Sequence, residues 1–293
     1  MDGRAGIDAA LVRRLVDAQF PQWSGLSVEP VAVDGWDNRT YRLGADKSVR
    51  LPTAEGYVPA VAKENEWLPR LAPALPVAVP TVLGAGVPGE GYPFPWSVRG
   101  WLPGETADRA RVDERFAVDV GEFLVALQRC DADGGPAAGK HSWYRGASLT
   151  HYDEETRRCL AALDGRIDTA AAAAVWDAAL AAECHGDPVW FHGDVAAGNL
   201  LVRDGRLTGV IDFGTSGIGD PACDLVIAWT LFDAGSRAVF RRVVGQDEGT
   251  WARGRGWALW KALLGLAGSD GPDPLNHRVI REVLADAAVE SVR

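Results

Sequence analysis

The stretch WFHGDVAAGNLL, residues 190–201, places three polar side chains, His192, Asp194 and Asn199, in one short loop between apolar ends. VIDFG follows at residues 210–214 and adds Asp212. Phosphoryl transfer requires a carboxylate that orients and deprotonates the attacking hydroxyl, and then an amide and a second carboxylate that hold Mg²⁺ against the phosphates. Asp194, Asn199 and Asp212 meet these three requirements in order, at the spacing of a kinase-like catalytic loop.

His192 and Asp194 alone are open to another interpretation, because imidazole and carboxylate both coordinate divalent ions. Oxygen ligands suit Mg²⁺ better than imidazole does. The loop therefore favours Asn199 and Asp212 as metal ligands and His192 as a structural residue that braces the loop by hydrogen bonds. A single Asp or Asn in a loop is at least as often a turn-capping residue as a catalytic one, so the combination carries the prediction.

The chain around this loop is mainly helical by its pattern. Two long runs with helical spacing cover residues 112–130 and 156–184, and three more helical runs follow the loop. One β-hairpin lies among them at residues 199–214, because Asp204-Gly205 is a strong turn signal between two apolar segments. Residues 101–293 are therefore predicted to form a second, mainly helical domain.

Residues 1–100 have a different pattern. An amphipathic helix is predicted at 7–18, and strand-like segments then alternate with turns until Pro59 opens a second helix. Two further strand-like segments complete this part. The pattern predicts a five-stranded antiparallel sheet with a helix laid on it, and hence an α+β fold for the whole chain.

Composition excludes several classes of protein. The chain has 293 residues, of which 47% are hydrophobic, and its net charge is -10 without a run of Lys or Arg. The sequence therefore lacks the basic patch that nucleic-acid binding requires. The excess of acidic residues would suit a cationic substrate, although a need for solubility explains it equally well. The four Cys residues form no CxxC pair, and no apolar run is long enough to span a membrane. We expect a cytoplasmic protein with reduced thiols and no membrane partner.

Three segments together, HGDVAAGN (192–199), VIDFG (210–214) and GDPACDL (219–225), resemble the aminoglycoside phosphotransferase family of small-molecule kinases, which also includes macrolide kinases. The resemblance implies a bilobal protein-kinase-like fold, with a small N-lobe at 1–100 and a larger C-lobe at 101–293. It implies Asp194 as the catalytic base, Asn199 and Asp212 as Mg²⁺ ligands, and ATP or GTP as the phosphate donor.

By the same resemblance the N-lobe binds the nucleotide. DGWDN (34–38) would cover the phosphates with backbone N–H groups and the side chain of Asn38. Arg50 stands where the family usually has Lys, and it would clamp the phosphates as a planar fork rather than a point charge. Its partner on the second helix would be Glu64, in preference to Glu66.

The segment from Ser97 to Gly100 is interpreted as the hinge that meets the nucleotide base through its backbone, so that Ser97 and Arg99 join the nucleotide-binding residues. A plain edge strand is the alternative. Asp220 is the first acidic residue of GDPACDL. It could cap the N-terminus of a helix, and by the resemblance it would support the catalytic loop; the two roles are compatible with each other.

Three functions remain open at this point. The first is a Mg²⁺-dependent kinase that phosphorylates a hydroxyl of an aminoglycoside or another natural-product antibiotic. The second keeps the fold and makes the acceptor a metabolite, as in choline, homoserine or fructosamine kinases. The third is a non-catalytic nucleotide-binding pseudokinase, which would have no need of a base at Asp194. Carboxylates that could hold a polyamine acceptor are Asp153, Glu154, Asp233 and Asp247, each of which is more often an ordinary solvated charge.

Overall fold

A computed structural model describes residues 6–32, 34–35, 37–269 and 271–290. The chain divides into two compact units. The first unit comprises the chain as far as Gly104 together with Gly209–Gly214, and the second comprises Glu105–Thr208 and the chain from Thr215 onwards. The short segment Gly209–Gly214, which begins with the last two residues of the second hairpin strand, is thus part of the sheet-bearing first unit.

The first unit is a mixed α and β structure. Its elements are α1 (Ala9–Gln19), β1 (Val28–Pro30), β2 (Asn38–Leu43), β3 (Lys47–Pro52), α2 (Val58–Leu71), β4 (Val82–Gly86) and β5 (Trp96–Gly100). The five strands form one antiparallel sheet, as the pattern predicted, and their order in it is β1-β2-β3-β5-β4.

Two helices flank this sheet for reasons that the sequence shows. Asp8 caps α1 by accepting a hydrogen bond from the backbone N of Leu11 at 2.8 Å, and the apolar face of α1 belongs to the same buried cluster as the sheet residues. Pro59 occupies the first turn of α2, where a missing N–H costs nothing. The buried face of α2 includes one acidic residue, Glu64.

The second unit is mainly helical. Its elements are β6 (Glu105–Thr106), α3 (Glu114–Gln128), α4 (Asp153–Ala162), α5 (Thr169–Ala181), β7 (Val189–Phe191), β8 (Leu200–Arg203), β9 (Arg206–Val210), β10 (Gly217–Gly219), α6 (Ile227–Thr230), α7 (Ala234–Val244), α8 (Glu248–Ala267) and α9 (Pro274–Glu290). Strands β7 and β10 pair with each other, and β6, β8 and β9 form a small sheet. The last residues of β9 continue into the first unit.

The helical run predicted at 156–184 is interrupted in the structure. Helix α4 ends at Ala162, Gly165 adopts a positive φ of 73°, and Asp168 caps α5. The hairpin is confirmed, with positive φ at both Asp204 and Gly205 as a tight two-residue turn requires. The α+β class predicted from the sequence is therefore confirmed, although β7, β10 and α7 were not predicted.

Two expectations from composition can be compared with the described residues. Among them, no helix combines the length and the apolar character that a membrane span requires. All four cysteines are free thiols, as expected, and Cys159 and Cys223 are buried.

Candidate active site

The loop between β7 and β8 holds the carboxylate of Asp194 in a fixed position. Asn199 donates from Nδ2 to Asp194 Oδ2 at 3.0 Å and to its backbone carbonyl at 3.0 Å. Lys261, on α8, donates from Nζ to Asp194 Oδ1 at 2.8 Å. Among the described residues, each carboxylate oxygen of Asp194 thus has one nitrogen donor, and Asn199 contacts Asp194 through its amide nitrogen rather than its amide oxygen.

His192 has the structural role that the sequence predicted. Its side chain is fully buried, and its Nδ1 accepts a hydrogen bond from the backbone N of Asp194 at 3.2 Å. This contact holds the backbone of Asp194 in place, and it occupies the Nδ1 atom of the His192 ring. His192 therefore positions Asp194 and is not placed as a metal ligand.

A second carboxylate, that of Asp224, supports the loop through hydrogen bonds to its backbone. Asp224 was not singled out from the sequence. Its two oxygens accept hydrogen bonds from the backbone N of His192 and of Gly193, each at 2.7 Å. Asp224 is completely buried, and this burial raises its pKa. Asp220 instead caps the following turn and forms an ion pair with Arg253 at 2.6 Å. In GDPACDL the second acidic residue, Asp224, rather than the first, Asp220, was the available signal for a residue that supports the loop.

The electrostatic surroundings of Asp194 keep it ionised. Burial alone would raise the pKa of Asp194, but the ammonium of Lys261 outweighs burial and brings the pKa below its usual range, with His192 and Arg145 adding to the effect. A carboxylate that is deprotonated at neutral pH and fixed by two donors can accept the proton of a hydroxyl.

Gly193 allows the loop to turn toward Asp194. It has a positive φ of 83°, and a Cβ at this position would lie 2.8 Å from the carbonyl oxygen of Thr215. We expect Gly193→Ala to reduce the free energy of unfolding by about 2–4 kcal/mol, because backbone strain and a steric clash add. Urea denaturation measures this change.

Gly198→Ala is the matched control for that prediction. Gly198 lies in the same loop, but a Cβ there would meet nothing within 4 Å, and its φ is not in the left-handed region. Its substitution should change the free energy of unfolding by less than about 1 kcal/mol. Equal losses in the two variants would contradict the structural role assigned to Gly193.

The first unit holds a separate group of charged residues around Arg50 on β3. Arg50 Nη1 lies 3.2 Å from Glu64 Oε1, and Arg50 Nη2 lies 3.0 Å from Asp212 Oδ1. Glu64 Oε1 also accepts a hydrogen bond from the backbone N of Phe213 at 3.1 Å. The pairing of Arg50 with Glu64 was preferred from the sequence and is present, whereas Glu66 is exposed and pairs with Arg70.

Arg99, on β5, contacts the same glutamate from the other side. Its Nη2 lies 3.3 Å from Glu64 Oε2, and its Nε donates to Ser97 Oγ at 3.1 Å. Burial would raise the pKa of Glu64, but Arg99 and Arg50 hold it below its usual range. Glu64 therefore contacts two guanidinium groups, of which Arg50 has Asp212 as a second carboxylate partner.

Strand β5 is not an edge strand, because β3 pairs with it on one side and β4 on the other. The backbone polar groups from Ser97 to Arg99 take part in these ladders, and both side chains are only 1% exposed. The segment that was interpreted as a hinge is therefore committed to the sheet. Contact with a nucleotide base through free backbone groups requires residues that follow β5.

Asp212 and Asp37 form the acidic part of this group. Asp212 adopts a positive φ of 67°, and its side chain is 30% exposed. Burial, followed by the negative charge of Asp212, raises the pKa of Asp37. Asn38 begins β2, pairs in register with Pro52 and is buried. Arg50, which pairs with Asp212, lowers the pKa of Asp37 and offsets part of this repulsion.

An α+β chain with these two groups of residues belongs to the class of kinase-like phosphotransferases, in which positioning and electrostatics carry the chemistry. The sequence profile of the phosphotransferase enzyme family APH matches residues 27–263. The chain therefore belongs to that family, and the resemblance inferred from the catalytic loop is confirmed.

Solved structures and one curated relative agree with this membership. The chain is similar to an APH(2")-IIIa phosphotransferase in complex with GDP and kanamycin, with a TM-score of 0.67 and 20% identity over 94% of this chain and 98% of that one. It is also similar to macrolide 2'-phosphotransferase MphH from Brachybacterium faecium, with a TM-score of 0.57 and 22% identity over 97% and 90% of the two chains. These likenesses establish the fold.

The curated relative is an aminoglycoside 3'-phosphotransferase from Escherichia coli. It is 38% identical over 60 residues, which are 20% of this chain and 22% of that protein. The matching segment is thus about a fifth of either protein.

Proposed function

We propose that the protein transfers the γ-phosphate of ATP or GTP to a hydroxyl group of a small molecule. The observation that carries this proposal is the ionised carboxylate of Asp194, held by Asn199 and Lys261 in the loop after β7. The acceptor oxygen attacks the γ-phosphorus, the bond from that phosphorus to the β–γ bridging oxygen breaks, and the hydroxyl proton passes to Asp194. The nucleoside diphosphate is the leaving group.

Mg²⁺ suits the kinds of donor proposed to hold it, an amide oxygen from Asn199 and a carboxylate from Asp212. Asn199 contacts Asp194 through its amide nitrogen, so the proposed metal ligand is its amide oxygen. Asp212 lies close to a second carboxylate, that of Asp37. An ion held by few protein ligands would complete its coordination with nucleotide phosphates and water. When bound, Mg²⁺ would neutralise the charge of those phosphates.

The nucleotide is proposed to bind the first unit. Arg50 supplies a partly buried positive charge whose position Glu64 and Asp212 fix. Asn38 lies at the start of β2, next to the loop proposed to cover the phosphates. Because β5 is paired on both sides, we place the base contacts on residues 101–104, which follow it, rather than on the backbone at Ser97 and Arg99. Backbone recognition of this kind is compatible with either adenine or guanine.

For the acceptor, the proposal extends to a natural-product antibiotic of the kind named for the relatives, an aminoglycoside or a macrolide. A nucleotide-turnover screen tests it, with ATP and GTP as donors and with aminoglycosides, macrolides, nucleoside antibiotics and small hydroxylated metabolites as acceptors. Acceptor-dependent release of ADP or GDP by the wild type, but not by Asp194→Ala, is the expected result.

The other outcomes of the screen distinguish the alternatives. Turnover with a metabolite, together with no protection of a sensitive bacterial host against any antibiotic, would assign a metabolite kinase. Mg²⁺-dependent nucleotide binding without turnover on the whole panel would indicate a pseudokinase and contradict the proposed activity. Near wild-type turnover by Asp194→Ala would contradict the assignment of the base.

A further inference from the structure

Lys261 on α8 places an ammonium group beside the carboxylate proposed to act as the base. Its Nζ donates to Asp194 Oδ1 at 2.8 Å. Trp257 and Lys261 lie one helical turn apart on α8, and together with Trp260 they line a small pocket that also includes Asp194. The face of α8 that meets the base is therefore aromatic except for this one cation.

The ammonium of Lys261 is held less firmly than its surroundings. In the described part of the chain its ion-pair partner is Asp194, and its side chain is 44% exposed, whereas Trp257 is 2% exposed. A lysine carries a point charge on a flexible stem. Asn199, on the other carboxylate oxygen, is also tied to the backbone carbonyl of Asp194. Lys261 is thus the donor that an incoming hydroxyl can displace.

The charges around the pocket balance only while Asp194 is ionised. The carboxylate of Glu155 accepts a hydrogen bond from the Trp260 indole nitrogen at 2.8 Å, and the Arg145 guanidinium lies 5.4 Å from the centre of the same ring. The positive charges of Lys261 and Arg145 and the negative charges of Asp194 and Glu155 therefore sum to zero. Protonation of Asp194 leaves an uncompensated positive charge beside it.

The proposed reaction produces this situation, because the hydroxyl proton passes to Asp194. The attacking oxygen lies about 3–3.5 Å from the phosphorus in a reactive arrangement and about 2.7 Å from the carboxylate oxygen that accepts its proton. The phosphorus is therefore within about 6 Å of that carboxylate oxygen. A lysine whose Nζ already lies 2.8 Å from Asp194 Oδ1 can reach the phosphoryl oxygens by a change of rotamer.

We propose that Lys261 is a further catalytic residue, whose ammonium leaves Asp194 Oδ1 as the hydroxyl binds there and contacts a non-bridging oxygen of the transferring phosphoryl group. The inference rests on the proposed function. Lys261 keeps its protons throughout, so the bonds that form and break are those given for that function. A cation in this position stabilises the negative charge on the phosphoryl oxygens in the transition state.

The alternative role of Lys261 is confined to Asp194. An ammonium that only pairs with the carboxylate keeps it ionised by lowering its pKa, which makes Asp194 a weaker base for the hydroxyl proton. This effect raises the rate only at low pH, where Asp194 without its partner would be protonated. Above the pKa of Asp194 it has no benefit. The rate at high pH therefore separates the two roles.

Calorimetry with a phosphoryl mimic tests the contact without any acceptor. ADP and GDP are each titrated into the full-length protein with Mg²⁺, in the presence and absence of aluminium fluoride, which takes the place of the transferring phosphoryl group. We expect the gain in affinity from aluminium fluoride to be about tenfold smaller in Lys261→Met than in the wild type, because one charge-assisted contact is lost. The affinity for the diphosphate alone should not change.

Two further variants complete the comparison. Lys261→Arg keeps the charge and should recover most of the gain. Lys140→Met is the matched control, because Lys140 is an exposed lysine of the same unit, and the gain should equal that of the wild type. Thermal unfolding verifies that each variant is folded, and Lys261→Gln replaces Lys261→Met if the latter is unstable.

Turnover with kanamycin or erythromycin as the acceptor gives a second measurement. We expect Lys261→Met to lower kcat by about 10²-fold while the acceptor KM stays within about threefold of the wild type. The acid limb of its pH profile should move to higher pH, because the ammonium that lowers the pKa of Asp194 is gone. On the plateau above that limb the loss in kcat should persist.

Two results would overturn the inference: an equal gain from aluminium fluoride in Lys261→Met and the wild type, and recovery of wild-type kcat by Lys261→Met on the plateau. The second would leave Lys261 only the role of keeping Asp194 ionised. Failure of the proposed function is distinguishable from both. A protein that binds neither ADP nor GDP would contradict that function and this inference with it. A gain that depends on Lys261, without turnover of any acceptor, would contradict the activity alone.

Discussion

Asp194→Asn is expected to lower kcat for acceptor phosphorylation by about 10³-fold while the affinity for nucleotide stays near that of the wild type. The substitution keeps the size of the side chain but removes the group that accepts the hydroxyl proton. An amide would also place an NH₂ group against Lys261 or Asn199, which both donate to the carboxylate in the wild type. Steady-state release of ADP or GDP and calorimetric titration of the nucleotide measure the two quantities.

The control for this prediction is Asp204→Asn in the hairpin turn. Asp204 is exposed and has a positive φ of 52°, a conformation that Asn adopts readily. The control variant should retain wild-type turnover. If Asp194→Asn also turned over within a few fold of the wild type, another group would have to accept the proton, and the role of Asp194 would be wrong.

Glu64→Gln is expected to reduce the free energy of unfolding by about 3–5 kcal/mol, the largest effect on stability among the substitutions proposed here. Glu64 is the carboxylate that both Arg50 and Arg99 contact, and Arg99 has no other carboxylate partner among the described residues. Removing its charge leaves a nearly fully buried guanidinium without compensation. It also weakens the acceptor for the backbone N of Phe213.

The same substitution should weaken nucleotide binding, because Arg50 would lose one of the two carboxylates that hold it in place. Glu66→Gln is the matched control, two residues away on the same helix. Glu66 is exposed and pairs only with exposed Arg70, so a change below about 0.5 kcal/mol is expected. Urea denaturation compares the two, and equal stabilities would contradict the central position assigned to Glu64.

The second unit shows why part of the site was predictable. Asp194 and Asn199 lie on one short loop, so their spacing alone brings the two side chains within hydrogen-bond distance. The preference for Glu64 over Glu66 came from the resemblance to the family, and helix geometry gives the physical reason for the outcome, because only one of two residues spaced by two positions can face the sheet. The role of Asp224 was not predictable in this way, since its partners, His192 and Gly193, precede it by about thirty residues.

The hinge shows a different limit. Strand character at residues 94–102 was visible in the sequence, but the order of strands in a sheet depends on pairing between distant segments. Placing β5 between β3 and β4 uses the backbone groups that were assigned to the nucleotide base. It also buries Arg99 against Glu64.

The sequence by itself determined the α+β class, which follows from the pattern of each element, and the loop that holds Asp194 and Asn199, because these two residues lie five positions apart. Only the tertiary structure decided that Asp212 joins the first unit through Arg50, and that Lys261 contacts Asp194 from a helix 67 residues further along the chain. The charge around a catalytic group is summed over everything that packs against it. Residues distant in sequence, such as Lys261, therefore set that charge.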